Sequence, residues 1–245
     1  MEKILVFIPT YNEYGNVQRL YREIKNISSD LDILFCDDNS PDQTGALLDE
    51  LRTQDASVHV IHRPAKLGLG TAHIAGFNFA LQHSYTHLIT MDADFTHDPC
   101  YIPKLIEQKK HADIVIGSRY TSGGKMEGWN KIRLPFTYFW RSMIKYGLGM
   151  PYDCTGAYRL YNVSILKPVI FNAVQSRGFA FCMESLYRFK KSGAAIAEVP
   201  ILARNRQEGK SKLSVKIMAE VAKQFFVLFF DRITGKSVHK SEHSS

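Results

Sequence analysis

Short apolar runs alternate with longer stretches of helical period through the first half of this chain. Runs at 3–8, 31–36, 58–61, 87–91 and 113–117 read as buried strands. Between them the periodicity predicts helices over about 15–27, 44–52, 67–82 and 99–109. Strands that alternate with helices in this way imply an α/β fold, a mostly parallel sheet covered on both faces. After Arg119 the alternation stops. Ser122-Gly123-Gly124 reads as a joint and Gly128-Trp129-Asn130 as a loop. Helices are expected over about 133–146, 179–190 and 214–232, with one further strand over 195–201.

Two of these late helices have unusual faces. The first mixes Phe136, Tyr138, Phe139 and Trp140 with Arg133, Arg141 and Lys145, a composition that suits a bilayer interface or packing on the sheet. The last carries Lys216, Glu220 and Lys223 in its first half, then the run Phe225-Phe226-Val227-Leu228-Phe229-Phe230. Its 19 residues would span roughly 29 Å, but its polar half argues against a membrane-spanning segment. It is expected to lie on a membrane, bind a partner or dock on the core. The segment from about 233 to 245 is polar and expected to be disordered.

In a parallel sheet the strand ends converge on one edge, where ligands of open α/β sheets bind. Three strands deliver polar clusters there: Pro9-Thr10-Tyr11-Asn12-Glu13, Asp37-Asp38, and Asp92-Ala93-Asp94. Each alone could be turn chemistry; together they suggest a site. Asp92 and Asp94 suit a hard divalent cation, since Mg²⁺ is held by one or two carboxylates together with substrate phosphates. Asp98-Pro99 instead reads as the cap of the following helix. Gly68-Leu69-Gly70 would begin a dinucleotide fingerprint, but His73 stands where the third glycine belongs. The glycines are therefore expected to permit a tight, close-packed start to the helix.

Composition sharpens this picture. The 245 residues suit one large α/β domain, and the net charge is +7. The stretches 119–145 and 202–216 carry +5 and +4, so the rest of the chain sums to −2. Such local basicity favours an anionic ligand or membrane surface, and no nucleic-acid module is recognisable. Cys36, Cys100, Cys154 and Cys182 lack metal-binding spacing and fit a reducing compartment. Met1-Glu2-Lys3-Ile4 leads straight into a strand, so no signal peptide is expected.

These residues suit transfer of a group from a nucleotide diphosphate. A metal at Asp92 and Asp94 would neutralise the leaving group, and Asp38 and Glu13 are placed for a base or ribose. Arg119, Arg133, Arg206 and Lys212 could hold a second anion. A phosphate acceptor is already ionised, so no general base would be required.

Several motifs together resemble the family-2 glycosyltransferases: Pro-Thr-Tyr-Asn-Glu at 9–13, Asp-Asp-Asn-Ser-Pro-Asp-Gln-Thr-Gly at 37–45, and Arg-Pro-Ala-Lys-Leu-Gly-Leu-Gly-Thr-Ala at 63–72. Met-Asp-Ala-Asp at 91–94, Gly-Ser-Arg-Tyr at 117–120, Glu-Val-Pro-Ile at 198–201 and Arg-Gln-Glu-Gly-Lys-Ser-Lys-Leu at 206–213 narrow the resemblance. The chain looks like the polyprenyl-phosphate (dolichol-phosphate) mannosyltransferases. The resemblance covers almost all of residues 3–213.

It implies a single GT-A domain over 1–232, with a nucleotide half to about 118 and an acceptor half from about 119. The implied reaction is inverting transfer of mannose from GDP-mannose to a polyprenyl phosphate, with Mg²⁺ or Mn²⁺ as cofactor. A UDP-sugar donor with an undecaprenyl phosphate, or a non-catalytic nucleotide-sugar-binding subunit, are the alternatives. By resemblance, Pro9, Tyr11, Glu13, Cys36, Asp38, Asp92, Ala93 and Asp94 would form the nucleotide-sugar pocket. Asp92, Asp94 and Thr96 would attend the metal. Arg119, Arg133, Arg206 and Lys212 would hold the sugar diphosphate and the lipid phosphate. Cys36 stands where an aliphatic residue is usual, and Lys210 where relatives often have Glu. Some relatives carry C-terminal transmembrane hairpins that this sequence lacks. The expected location is the cytosolic face of a membrane, with attachment through the two amphipathic helices or a separate anchoring subunit.

Overall fold

The computed structural model describes residues 2–128, 134–204 and 215–235. Strands β1 (Ile4–Thr10), β2 (Asp32–Asp37), β3 (Val58–His62), β4 (His87–Thr90) and β5 (Ile114–Ser118) alternate with helices α1 (Tyr14–Ile27), α2 (Thr44–Gln54), α3 (Leu69–Gln82) and α4 (Ile102–Gln108). The expected half of the fold is therefore present, with boundaries shifted by a residue or two. One turn of 3₁₀ helix over Pro99–Tyr101 precedes α4. Asp98 caps it, its side chain accepting the Cys100 N–H at 2.9 Å.

The second half follows as β6 (Lys125–Glu127), α5 (Leu134–Gly147), β7 (Arg159–Asn162), α6 (Pro168–Phe171), α7 (Ala180–Lys191), β8 (Ile196–Pro200), β9 (Leu202–Arg204) and α8 (Val215–Thr234). The hydrophobic pattern misses β6, β7, α6 and β9. Each is three or four residues long, too short to display a period. The main sheet has the order β3-β2-β1-β4-β7-β5-β8. It is parallel except for β7, which pairs antiparallel with both β4 and β5. β6 and β9 form a separate parallel pair.

Alternation along the strands builds two cores. Leu5, Phe7, Leu34 and Cys36 face one side, beneath α3, α7 and the buried edge of α8. Val6, Ile8, Ile33 and Phe35 face the other, beneath α1, α2 and α4. Helix α8 docks by several contacts at once. Phe225 and Leu228 are buried. The Asp231 carboxylate accepts from Tyr187 Oη at 3.1 Å and Lys191 Nζ at 2.8 Å. Arg232 donates to the carbonyls of Tyr146 and Gly147 at 2.9 and 2.7 Å, filling orphan acceptors at the end of α5. Its other face leaves Phe226 and Phe230 more than half exposed, and Phe136, Tyr138 and Phe139 of α5 are exposed as well. Docking on the core and presenting an outward aromatic face thus coexist on one helix. No helix among the described residues is long and apolar enough to cross a membrane.

Candidate active site

β1, β2 and β4 are neighbours and parallel, so their carboxyl ends lie side by side. The loops beyond them are laced together. The Asn12 N–H donates to Ser40 Oγ at 3.0 Å, the Glu13 N–H to Thr44 Oγ1 at 3.0 Å, and the Tyr14 N–H to Asp42 Oδ2 at 3.2 Å. Asp37 anchors the second loop, accepting from Thr10 Oγ1, Ser40 N and Ser40 Oγ. Short Asp, Ser and Thr side chains bonding to nearby backbone make these turns rigid.

A cavity of about 510 Å³ opens over these tips, lined by Pro9, Tyr11, Glu13, Asp38, Ala93 and Asp94 among others. The described positions expected to bind the nucleotide sugar meet there, with two exceptions: Arg119 lines a neighbouring cavity instead, and Cys36 lines none. Cys36 is fully buried beside Pro9 in the sheet and lines neither cavity described here. Burial pushes its thiol up to about 12. Asp38 does not stand alone: Arg63 Nη1 lies 2.6 Å from its Oδ1. Burial raises the Asp38 carboxyl, while the Arg63 charge opposes that rise. Arg63 also donates to the Gly68 carbonyl and to Thr71 Oγ1, so it ties the glycine segment to the β2 tip. Lys66 then rests its ammonium 3.7 Å over the Tyr11 ring.

The glycines do what their spacing predicts. Gly68 adopts φ +101°, and a Cβ there would sit 2.5 Å from the Arg177 carbonyl oxygen. A Cβ on Gly70 would sit 2.5 Å from the Ser176 carbonyl and 2.8 Å from the Phe181 ring. The 176–178 backbone therefore closes one wall of the cavity. That wall is held from below by buried Glu184, which accepts from Gln175 N, Ser176 N, Ser176 Oγ and the Arg188 guanidinium.

The acidic loop after β4 is sharply shaped. Phe95 adopts φ +59°, an uncommon conformation for a bulky residue. Its ring is covered by the Arg19 guanidinium at 4.3 Å. The turn lets Asp94 Oδ1 accept both the Thr96 N–H at 3.1 Å and the Thr96 hydroxyl at 2.6 Å. Thr96 thus stands behind Asp94, orienting its carboxylate. Asp92 is held through its main chain, whose N–H donates to His97 Nδ1 at 3.0 Å. The His97 ring stacks on Tyr158 at 5.1 Å, and Tyr158 Oη donates to the Asp98 carbonyl at 3.0 Å.

The donor set fits a hard divalent cation completed by phosphate oxygens. Among the described residues no cluster of three or more His, Cys, Asp or Glu forms a self-contained cage. The cavity lining is nonetheless acidic, with Glu13, Asp38, Asp92, Asp94 and Glu220 against Lys66 and Arg177. A diphosphate entering it would need a compensating cation.

A second cavity of about 340 Å³ adjoins the first, and Asp92, Leu69, Phe179 and Ile217 belong to both walls. It runs between α5 and α8 and is largely apolar, lined by Phe136, Trp140, Ile144, Met218 and Val221. Arg119, Arg141 and Arg204 line it too. Arg119 is clamped by fully buried Asp153, whose N–H in turn donates to Glu198 Oε1 at 2.7 Å. Sequence reasoning missed Asp153, His97, Arg141 and Arg63 as site residues. Two of them carried a visible signal: Arg63 opens the motif at 63–72, and Asp153 stands in the polar stretch Asp153-Cys154-Thr155-Gly156. Arg133, Arg206 and Lys212 lie outside the described residues.

Comparison with known proteins agrees with this arrangement. The profile described as "Glycosyl transferase family 2" matches residues 5–170. An undecaprenyl-phosphate mannosyltransferase of Micrococcus luteus is 38% identical over 219 residues, 89% of this chain and 90% of that one. A polyprenol monophosphomannose synthase of Mycolicibacterium smegmatis is 38% identical over 216 residues, 87% of this chain and 82% of that one. Among solved structures, a mannosyltransferase from Pyrobaculum calidifontis in complex with GDP-Man and Mn²⁺ shares the fold at a TM-score of 0.60. It is 13% identical, and the match covers 98% of this chain and 66% of that one. The fold is GT-A, and the chain belongs to glycosyltransferase family 2.

Proposed function

We propose that this chain transfers mannose from GDP-mannose to a polyprenyl phosphate, with inversion at the sugar. The observation that carries this reading is the meeting of an acidic cavity and an apolar one at Asp92. A charged donor and a lipid-borne acceptor need two such chambers with their reacting ends in contact. The two mannosyltransferase relatives that match nearly the whole chain support the choice of sugar and acceptor.

In this reading Glu13 and Asp38, on rigid turns, hold the nucleoside. Asp92 and Asp94 would hold Mg²⁺ or Mn²⁺, which offsets the charge that develops on the departing diphosphate. Thr96 keeps Asp94 turned to that task. An acceptor phosphate oxygen attacks the anomeric carbon as the bond to the diphosphate breaks, so GDP leaves with the bonding pair. The acceptor dianion needs no deprotonation, and positioning supplies most of the rate. Arg119, Arg133, Arg206 and Lys212 are proposed to hold the two anions.

The isoprenoid chain would follow the apolar cavity between α5 and α8. The exposed rings of Phe136, Phe139, Phe226 and Phe230 would rest on the cytosolic face of a membrane. A donor screen tests the reading: the chain in detergent, a polyprenyl phosphate, Mn²⁺, and GDP-mannose against UDP-sugars. Mannosyl phospholipid formed only from GDP-mannose is the expected result. Turnover of a UDP-sugar alone would overturn the donor assignment.

A further inference from the structure

The apolar cavity contains three arginines, and two of them are already neutralised. Arg119 is held side-on by Asp153, and Arg204 lies near Asp98 and Glu127, at 3.7 and 3.4 Å. Arg141 differs. Its guanidinium lies 4.6 Å over the Tyr120 ring, which braces it without cancelling its charge. Its Nε is buried and has no hydrogen-bond partner among the described residues. No carboxylate of the described residues lies within 4.0 Å of it. Glu198, which senses its charge, is turned instead to the Asp153 N–H.

A second donor faces the same space. A backbone N–H can only donate, so the bond from Asp92 makes His97 Nδ1 an acceptor and leaves the ring proton on Nε2. His97 lines the cavity. Its contacts among the described residues are Nδ1 to Asp92 and the stack on Tyr158, so Nε2–H has no hydrogen-bond partner there. A buried donor left unmade is costly, and Arg141 Nε is one; with the His97 Nε2–H in the same chamber beside Asp92, it calls for an anion.

We infer that Arg141 and His97 grip the phosphate head of the lipid acceptor, each donating an N–H to its oxygens. This rests on the reading of the cavity as the acceptor chamber. It assigns the recognition of the acceptor to two residues outside the cationic set that sequence pointed to. Arg141 supplies the charge. His97 serves two partners at once, steadying the Asp92 main chain through Nδ1 and the acceptor through Nε2.

Steady-state kinetics on the full chain in detergent, with Mn²⁺, GDP-mannose and a polyprenyl monophosphate, test it. Arg141→Gln and His97→Asn should each raise the KM for the lipid about ten-fold or more, corresponding to loss of one charge-assisted bond. The KM for GDP-mannose should stay within about two-fold, because neither side chain lines the donor cavity. His97→Asn keeps an oxygen near the place of Nδ1, whereas His97→Gln places an amide N–H near the place of Nε2. His97→Gln should therefore recover much of the lipid affinity, and Arg141→Lys part of it. If wild type transfers mannose and the lipid KM is unmoved, or both KM values rise together, the inference is wrong. If wild type transfers nothing to the lipid, the wider reading fails, and calorimetry with citronellyl phosphate then judges the grip alone. Arg141→Gln binding it as tightly as wild type would overturn the grip. Inorganic phosphate binding as tightly as citronellyl phosphate would overturn the assignment to a lipid.

Discussion

The Asp153 carboxylate receives the Arg119 guanidinium side-on, with Oδ2 2.8 Å from Nε and Oδ1 2.7 Å from Nη2. Water replaces little of this pair, since Asp153 is fully buried and the Arg119 side chain is only 14% exposed. Burial alone would raise the Asp153 carboxyl; the Arg119 charge and hydrogen bonds outweigh it and hold the carboxyl below its usual range. Asp153→Asn should destabilise the fold by about 3–5 kcal/mol, because it leaves a buried cation unmatched. Arg119→Met added to it should recover part of that loss in urea denaturation. The contribution is present above about pH 4 and is lost as pH falls through the lowered folded value. Additive losses in the double variant would mean the two side chains are not coupled.

Asp94 is expected to matter through the metal and not through the fold. Asparagine keeps an Oδ1 able to accept both Thr96 bonds, so Asp94→Asn should shift stability by less than about 1 kcal/mol. Transfer should fall by about a hundred-fold or more. Excess chelator should silence wild type in the same way, and added Mn²⁺ should restore it. Full turnover in Asp94→Asn would remove the metal assignment.

Gly70 reports on the wall of the donor cavity. Its alanine variant forces the Ser176 carbonyl and Phe181 ring apart from α3, at a cost of about 1–3 kcal/mol. The displaced 176–178 segment carries Arg177 and Gly178 of that wall. GDP affinity should therefore weaken along with stability. An unchanged affinity for GDP would show that the wall does not touch the nucleotide.

His73 should give the protein a pH-dependent stability. It is buried with neither ring nitrogen hydrogen-bonded among the described residues, between the rings of Phe7 and Phe181, each at 5.3 Å. Burial first, then the Arg159 and His97 charges, push its imidazole down to about 3. The unfolded chain binds its proton near the ordinary value of about 6.5. This contribution to stability is therefore complete above about pH 6.5. It falls by about 1.4 kcal/mol per pH unit as pH drops toward the folded value. His73→Phe should flatten urea midpoints between about pH 6.5 and 4.5 relative to wild type. An unchanged slope would count against it.

The outward and inward rings of α8 should separate cleanly. Phe226→Ser with Phe230→Ser removes rings that are 51% and 56% exposed. Their effect on stability should stay within about 1 kcal/mol, while association with liposomes drops. Phe225→Ala, from a side chain 1% exposed, should instead cost about 3–5 kcal/mol. Unchanged liposome association in the double variant would leave the aromatic face without its proposed role.

What the sequence disclosed and what it hid have a common explanation. The donor side was legible because its residues follow strands directly. Once β1, β2 and β4 are parallel, Glu13, Asp38 and Asp94 have nowhere else to go. The acceptor side was not, because its contacts are made between residues far apart in the chain. Arg119 meets Asp153, and Trp140 meets Phe225 at 5.8 Å, only after the helices have packed. β7 was hidden for a different reason. It begins with Arg159, a charged residue that reads as surface. Yet it is buried, its guanidinium donating to the Cys154 carbonyl at 2.9 Å and the Tyr161 hydroxyl at 3.3 Å. Arg63 likewise read as part of a loop until the Asp38 carboxylate lay beside it.

The single rod α8 touches three environments: Glu220 looks into the acidic chamber, Met218 and Val221 into the apolar one, and Phe226 and Phe230 outward. Ile217 borders both chambers. A surface that took up the outward rings would therefore bear on a helix that walls both rooms.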